Sequence, residues 1–181
     1  HLPLPSSAPL FTVLTPTFNR VGTLSRAYRS LAAQHCRDFE WLVVDDGSTD
    51  ATADTVATWQ AEADFPIRYV YQNNGHKKTA LNTGFRHAQG VFTVILDSDD
   101  ELTPAALAIF DAAWNSVPPE QRDGFSGIRA LCIDPAGQVV GDLFPSSPFD
   151  ASANELLYRY HIGGEKLSCD KTVLLRQFPF P

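Results

Sequence analysis

The sequence predicts an α/β protein: a mostly parallel sheet flanked by helices, with a small antiparallel part toward the C-terminal side. Three observations carry this. Between Leu10 and Asn115, short apolar or β-branched runs alternate with segments of helical period four times. The run Val91–Leu96 (VFTVIL) is apolar or β-branched throughout, the mark of a strand covered on both faces, as in parallel sheets. After Pro118-Pro119 the pattern changes, and two short runs flank Pro135-Ala136-Gly137, which fits an antiparallel hairpin. Repeated strand–helix–strand units imply right-handed crossovers and a parallel core.

Taken in order, Leu10–Thr15 (LFTVLT) reads as a buried strand ended by Pro16. Leu24, Ala27, Tyr28, Leu31 and Ala32 then recur at helical spacing, giving an amphipathic helix over Thr23–Gln34. Phe39–Val44 is a second strand, running into Asp45-Asp46-Gly47-Ser48-Thr49-Asp50, whose last residues suit the N-cap of a helix over Ala51–Ala63. Ile67–Tyr71 is a third strand, and Lys77–Ala88 a third helix. Thr103-Pro104 offers an N-cap and an N1 proline for a fourth helix reaching Asn115. Gly127–Ile133 and Gln138–Leu143 form the hairpin, Leu156–His161 is helical, and Lys171–Phe178 is a further short element.

The 181 residues suffice for one domain, expected over 10–181, with residues 1–9 as a disordered or added lead. Net charge is −7 and the hydrophobic fraction 44%, values that exclude a disordered chain and argue against nucleic acid or an anionic membrane surface as partner. The charge is uneven. Residues 1–90 hold eight basic and eight acidic side chains, whereas residues 91–181 hold six and thirteen. Four of those acids, Asp97, Asp99, Asp100 and Glu101, fall within one short stretch. Cys36, Cys132 and Cys169 show no CxxC and an odd count, as expected for free thiols in a reducing, cytoplasmic setting. No apolar run approaches the roughly 18 residues of a membrane span, and the opening HLPLPSSAP lacks the features of a signal peptide.

Ligands of parallel sheets bind beyond the carboxyl ends of the strands. Three polar clusters fall there, Pro16–Arg20, Asp45–Asp50 and Asp97–Glu101, and they are expected to converge on one edge. Asp97-Ser98-Asp99-Asp100 offers hard oxygen ligands that suit a divalent cation, Mg²⁺ or Mn²⁺, whose shell substrate phosphates and water would complete. The same acids would also serve as a solvated cap on the next helix. An EF-hand is excluded, because Leu102 and Ala108 stand where its glycine and bidentate glutamate belong. GxxxxGK[ST], GxGxxG and HExxH are absent. A phosphotransfer domain with Asp97 as nucleophile is disfavoured, since that residue follows the fourth strand and the lysines precede it. Asp45 and Asp46 suit acceptance from ribose hydroxyls or a base N–H, or an Asx turn. Lys77 and Lys78 open a helix, a position that attracts phosphate and is otherwise unfavourable for cations. His35, His76, His87 and His161 have no metal-ligand spacing, and the tryptophans read as core.

Four segments in this order, TPTFNR (Thr15–Arg20), VVDDGSTD (Val43–Asp50), NGHKKTALNTGFRHAQG (Asn74–Gly90) and ILDSDD (Ile95–Asp100), resemble the nucleotide-sugar domain of family-2 glycosyltransferases with the GT-A, Rossmann-like fold. The similarity runs from Phe11 to Pro181. It implies transfer of a sugar from a nucleoside diphosphate, UDP above all, to a carbohydrate or lipid-linked acceptor, with inversion. Pro16, Thr17 and Phe18 would line the base and ribose pocket, and Asp46, beside Asp45, would read the base. Lys77 and Lys78 would reach the diphosphate or the base. Asp97 and Asp99 match the DxD motif, Asp97 toward the ribose and both toward the metal. The resemblance implies an acceptor-side base just after a segment like Gly163–Pro181, and neither Glu165 nor Asp170 aligns with it. The sequence therefore suggests a domain truncated at its C-terminal side, at the inner face of a membrane through regions not present. The alternative is a nucleotide-sugar-binding module without transfer activity.

Overall fold

The computed structural model of the chain describes residues 8–181. The expected lead falls mostly on residues 1–7, outside the described residues. By Pro9 the chain already accepts a hydrogen bond from the Val91 amide at 3.2 Å.

Seven strands form one sheet in the order β3-β2-β1-β4-β7-β5-β6. Strands β1 (Phe11–Thr17), β2 (Phe39–Asp45), β3 (Ile67–Tyr71) and β4 (Phe92–Ile95) are mutually parallel. Their crossovers are α1 (Val21–Ala32), α2 (Thr52–Glu62) and α3 (His76–His87). Beyond β4 come α4 (Ala106–Ser116), a 3-10 turn at Pro119–Gly124, and the strands β5 (Gly127–Ile133) and β6 (Val139–Val140). A π-helical turn at Glu155–Arg159 leads to β7 (Lys166–Lys171) and α5 (Thr172–Gln177).

Successive strand residues point to opposite faces, and both faces are apolar. Val13, Trp41, Val43 and Val94 pack against Leu24 and Leu31 of α1, Val56 and Trp59 of α2, and Leu107 and Phe110 of α4. Tyr28 stacks on Trp59 with centroids 4.6 Å apart, between Trp41 and Phe65, so the tryptophans do belong to the core. On the other face Leu14, Leu42 and Val44 meet Ala80, Leu81 and Phe85 of α3 and Leu175 of α5. Gly84 lets α3 approach: a Cβ there would meet Leu14 Cδ1 at 2.3 Å.

The predicted β–α alternation is present with ends shifted by one or two residues, and the departures have local causes. Pro16 does not end β1, which continues to Thr17. The Leu14 carbonyl accepts from the Leu96 amide on the β4 side, so Pro16, two residues on, also faces that side, where β4 has stopped and no amide is needed. Thr103 and Pro104 do not start α4. They form a turn two residues earlier, and the Pro104 carbonyl accepts from His35 N. The hairpin exists, but β6 is only two residues long. The antiparallel part is not a separate unit, because β7 pairs with both β4 and β5 and joins it to the parallel sheet. That strand, KLSCDK, was not anticipated from the sequence. Among the described residues no helix is long and apolar enough to cross a membrane.

Candidate functional site

The three polar clusters do meet. Beyond the carboxyl ends of β1, β2 and β4 lies a cleft of about 560 Å³, lined at the end of β1 by Pro16, Thr17 and Phe18, just after β2 by Asp46, from α3 by Lys77, and in the turn after β4 by Asp97 and Asp99. β4 ends at Ile95 opposite Leu14 while β1 runs three residues further. This staggered ending makes the hollow.

The loops around the cleft brace one another. Asn19, in the left-handed region at φ 52°, accepts hydrogen bonds from the Thr49 and Asp50 amides at 2.8 and 3.3 Å, and donates its own amide to Ser48 Oγ at 2.8 Å. Asparagine is among the few residues enriched in that backbone region, and here its side chain is held by the loop after β2. Gly47, at φ 90°, brings its Cα so close to Asn74 that a Cβ would meet the Asn74 amide nitrogen at 2.9 Å. Asp50 accepts from Thr52 N and Oγ1 at the start of α2 and from Val21 N at the start of α1. Burial pushes its carboxyl up, but these hydrogen bonds outweigh it and hold Asp50 below the ordinary value.

The two neighbouring acids after β2 part company, as consecutive strand residues must. Asp45 is wholly buried and turned inward, accepting from Ser48 N at 2.7 Å and Tyr69 Oη at 2.5 Å; burial and that carboxylate push the Tyr69 phenol up. It does not line the cleft. Asp46, 4% exposed, does. Its Oδ1 accepts from Gln72 Nε2 at 2.6 Å and the Gly75 amide at 2.9 Å, while its Oδ2 has no protein partner among the described residues. The lysines part as well. Lys77 lines the cleft and donates to Asp97 Oδ2 at 2.7 Å, whereas Lys78 is exposed and outside the lining.

Asp99 pairs with Arg20, and Arg26 with Glu101 at 2.7 Å. Asp100 faces this crowd of charge: burial, then Asp97, Asp99 and Glu165, push its carboxyl up. Two buried side-chain atoms among the described residues lack any partner, Thr17 Oγ1 and Asp97 Oδ1, and both residues line this cleft. Folded proteins leave few such atoms, so two in one hollow point to a ligand. Among the described residues no three His, Cys, Asp or Glu side chains are grouped to hold a metal unaided.

Elsewhere, Asp170 is engaged with Arg129 at 2.8 Å and only slightly exposed. Cys36, Cys132 and Cys169 are free; burial pushes the Cys169 thiol up, and burial with Glu165 does the same to Cys132, which makes neither a nucleophile. The sequence reading assigned no role to Arg20 or Gln72. Arg20 carried a signal, since a cation just before a helix is unfavourable without an anionic neighbour.

Comparison with known proteins agrees with this architecture. The chain is 38% identical over 130 residues to the GalNAc(5)-diNAcBac-PP-undecaprenol beta-1,3-glucosyltransferase of Campylobacter jejuni, covering 69% of this chain and 38% of that protein. It is 40% identical over 97 residues to the validoxylamine A glucosyltransferase of Streptomyces hygroscopicus, covering 51% and 22% respectively. Among solved structures, the Pyrobaculum calidifontis mannosyltransferase PcManGT in complex with GDP-Man and Mn²⁺ superposes with a TM-score of 0.67 at 25% identity, covering 98% of this chain and 49% of that one. Staphylococcus aureus TarS 1-349 in complex with UDP gives 0.63 at 27% identity, covering 94% and 50%. The chain thus spans about half the length of these structures and less of the curated relatives. A family model described as Glycosyl transferase family 2 matches residues 12–115. The chain belongs to glycosyltransferase family 2, and its fold is that of the GT-A glycosyltransferases.

Proposed function

We propose that this domain binds a UDP-linked sugar in the cleft between β1, β2 and β4 and transfers the sugar, with inversion, to a hydroxyl of a carbohydrate or lipid-linked acceptor. The observation that carries the reading is the pair of orphaned buried oxygens, Thr17 Oγ1 and Asp97 Oδ1, in one cleft. A ligand bearing hydroxyl donors on one side and a cation on the other completes both.

Asp46 supports uracil as the base. Its Oδ1 is taken by Gln72 and Gly75, so one carboxylate oxygen remains to accept. Uracil presents a single N–H between two carbonyls, which one oxygen satisfies; the paired N–H donors of guanine call for both. Pro16, Thr17 and Phe18 form the floor and rim on which base and ribose rest, and Lys77 stands where a diphosphate would pass. Asp45 acts behind the site by shaping the turn through Ser48 and Tyr69, and Lys78 lies outside the lining. Free thiols suit a reducing compartment, so the domain is assigned to the cytoplasmic side.

The donor set fits a hard divalent cation, Mg²⁺ or Mn²⁺, on Asp97 and Asp99, because Asp97 keeps an unpaired oxygen and two carboxylates leave room for phosphate oxygens and water. When bound, such an ion neutralises the charge that develops on the departing diphosphate. Lys77 adds positive charge on the same side. PcManGT with GDP-Man and Mn²⁺, and TarS with UDP, support the donor class, and the undecaprenol-linked saccharide in the name of the Campylobacter relative supports a lipid-linked acceptor.

The test is a panel of UDP, GDP and their sugars, each with and without Mn²⁺, read by binding and then by transfer to simple glycosides. UDP preferred over GDP, with transfer, is the expected result. Preference for GDP would contradict the role given to Asp46. Donor binding without transfer would favour the binding-module alternative for this chain.

A further inference from the structure

We infer that Arg20 is a latch on Asp99 that makes metal binding wait for the diphosphate. The inference rests on the proposed donor site and concerns the order in which its parts assemble.

Both carboxylates assigned to the cation are already occupied by protein cations. Lys77 Nζ donates to Asp97 Oδ2 at 2.7 Å, and Arg20 Nη1 donates to Asp99 Oδ2. The two differ in what remains. Asp97 is the more enclosed of the two and keeps a buried, unpartnered Oδ1. Asp99 and Arg20 are each about half exposed, at 49% and 51%, and Asp99 is the one partner of the Arg20 side chain among the described residues. Arg20 takes one oxygen of Asp99, Oδ2, and the other has no protein partner among the described residues, so a divalent ion on Asp99 shares that carboxylate with a guanidinium of the same sign, and each weakens the other's hold.

The backbone beneath Arg20 is fixed while its side chain is not. The Arg20 carbonyl accepts from Thr23 N and Leu24 N at 3.1 and 3.0 Å, and neighbouring Asn19 is clamped to the β2–α2 loop. Arg20 also stands at the N-terminal end of α1, where the helix dipole disfavours a cation. Once loosened it needs another anion. Thr17 Oγ1, buried and unpartnered in the same cleft, marks that hollow as ligand-bearing independently of the acids. A diphosphate there offers the paired oxygens that a planar guanidinium fork engages best. Metal without nucleotide thus loosens Arg20 from its partner with no other anion to meet, and metal with nucleotide supplies one. Metal and diphosphate then bind with positive coupling, which is reciprocal by linkage.

Arg26, paired with Glu101 at 2.7 Å outside the cleft lining, is the matched control: Arg26→Gln removes the same charge nearby without freeing Asp99. Free Mn²⁺ is followed by electron paramagnetic resonance, with and without UDP, for the wild-type chain, Arg20→Gln and Arg26→Gln. Arg20→Gln should bind Mn²⁺ alone about fivefold more tightly, the scale of one exposed ion pair, and should bind UDP with Mn²⁺ less tightly than wild type. These opposite signs are the signature, since a purely structural or phosphate-binding arginine would weaken both or only the second. Arg26→Gln should change neither by more than about twofold, within the range of a screened surface charge. If Arg20→Gln does not fold, Arg20→Lys carries the test with the same signs and a smaller size. An unchanged or weaker Mn²⁺ affinity in the variant, with wild-type coupling intact, would overturn the latch alone. A wild-type chain that binds no Mn²⁺ even with UDP would overturn the donor site as well.

Discussion

Thr17 spends its hydroxyl in a place where the protein gives it nothing to bond. The side chain is 3% exposed and Oγ1 has no partner, an arrangement that costs about 1–3 kcal/mol relative to a satisfied group. Valine has the same shape without the unmet need. Thr17→Val should therefore leave the free protein as stable or about 1 kcal/mol more stable, measured by urea unfolding, while weakening UDP by about fivefold, the value of one neutral hydrogen bond. Loss of stability with unchanged UDP affinity would mean the hydroxyl serves the fold. Asp45 and Asp46 make a related point. In the sequence they read as one acidic pair, yet the period of two along a strand sends one inward to Tyr69 and the other to the cleft. Identity alone pointed to both; the alternation was the information needed to separate them. Lys77 and Lys78 differ for a reason no local pattern holds, since only Lys77 meets Asp97 across the cleft.

At the level of elements, Asp50 joins two helix starts, accepting from Val21 at α1 and Thr52 at α2. Asp50→Ala should cost about 1 kcal/mol, as loss of a helix cap does. The pH dependence follows from its lowered carboxyl pKa. Stability from the ionised form is fully present above the ordinary value of 3.8 and is lost as pH falls through the lower folded value. The melting-temperature gap between wild type and Asp50→Ala should thus persist at pH 7 and shrink below pH 3.8; a gap that widens in acid would contradict the capping role. The parallel strands were legible because they are buried on both faces, so β1 and β4 appear as apolar or β-branched runs and β2 as an apolar run interrupted by Glu40. β7 was not, because four of its six residues are Lys, Ser, Asp and Lys and only Cys169 is buried. Its strand conformation comes from pairing with β4 and β5, a tertiary effect that outweighs composition. Pro16 misled for a similar reason: whether proline ends a strand depends on whether a neighbour needs its amide.

For the molecule as a whole, the excess of acid after residue 90 includes a cluster at the mouth of the cleft, held in check by Arg20, Arg26 and Lys77. A metal ion and a diphosphate entering together leave that balance nearly unchanged. They should also stabilise the fold by mass action. At 100 times its dissociation constant, UDP with Mn²⁺ adds about 2.7 kcal/mol, which for a domain of this size raises the melting temperature by roughly 5–10 °C. Mn²⁺ alone, or UDP in a chelator, should give a small part of that shift; an equal shift from UDP in chelator would show that the acids play no part in donor binding.

The central claim, that Asp97 and Asp99 make nucleotide binding depend on a divalent cation, is tested most directly by calorimetric titration of UDP into wild-type protein and Asp99→Asn, each with Mn²⁺ and with chelator. Wild type should bind UDP tightly with Mn²⁺ and weakly without it. Asp99→Asn, with an unchanged unfolding transition, should bind weakly in both. Equal affinity with and without the metal in wild type, or full metal-dependent affinity in Asp99→Asn, would reduce the acidic turn after β4 to a cap on the helix that follows.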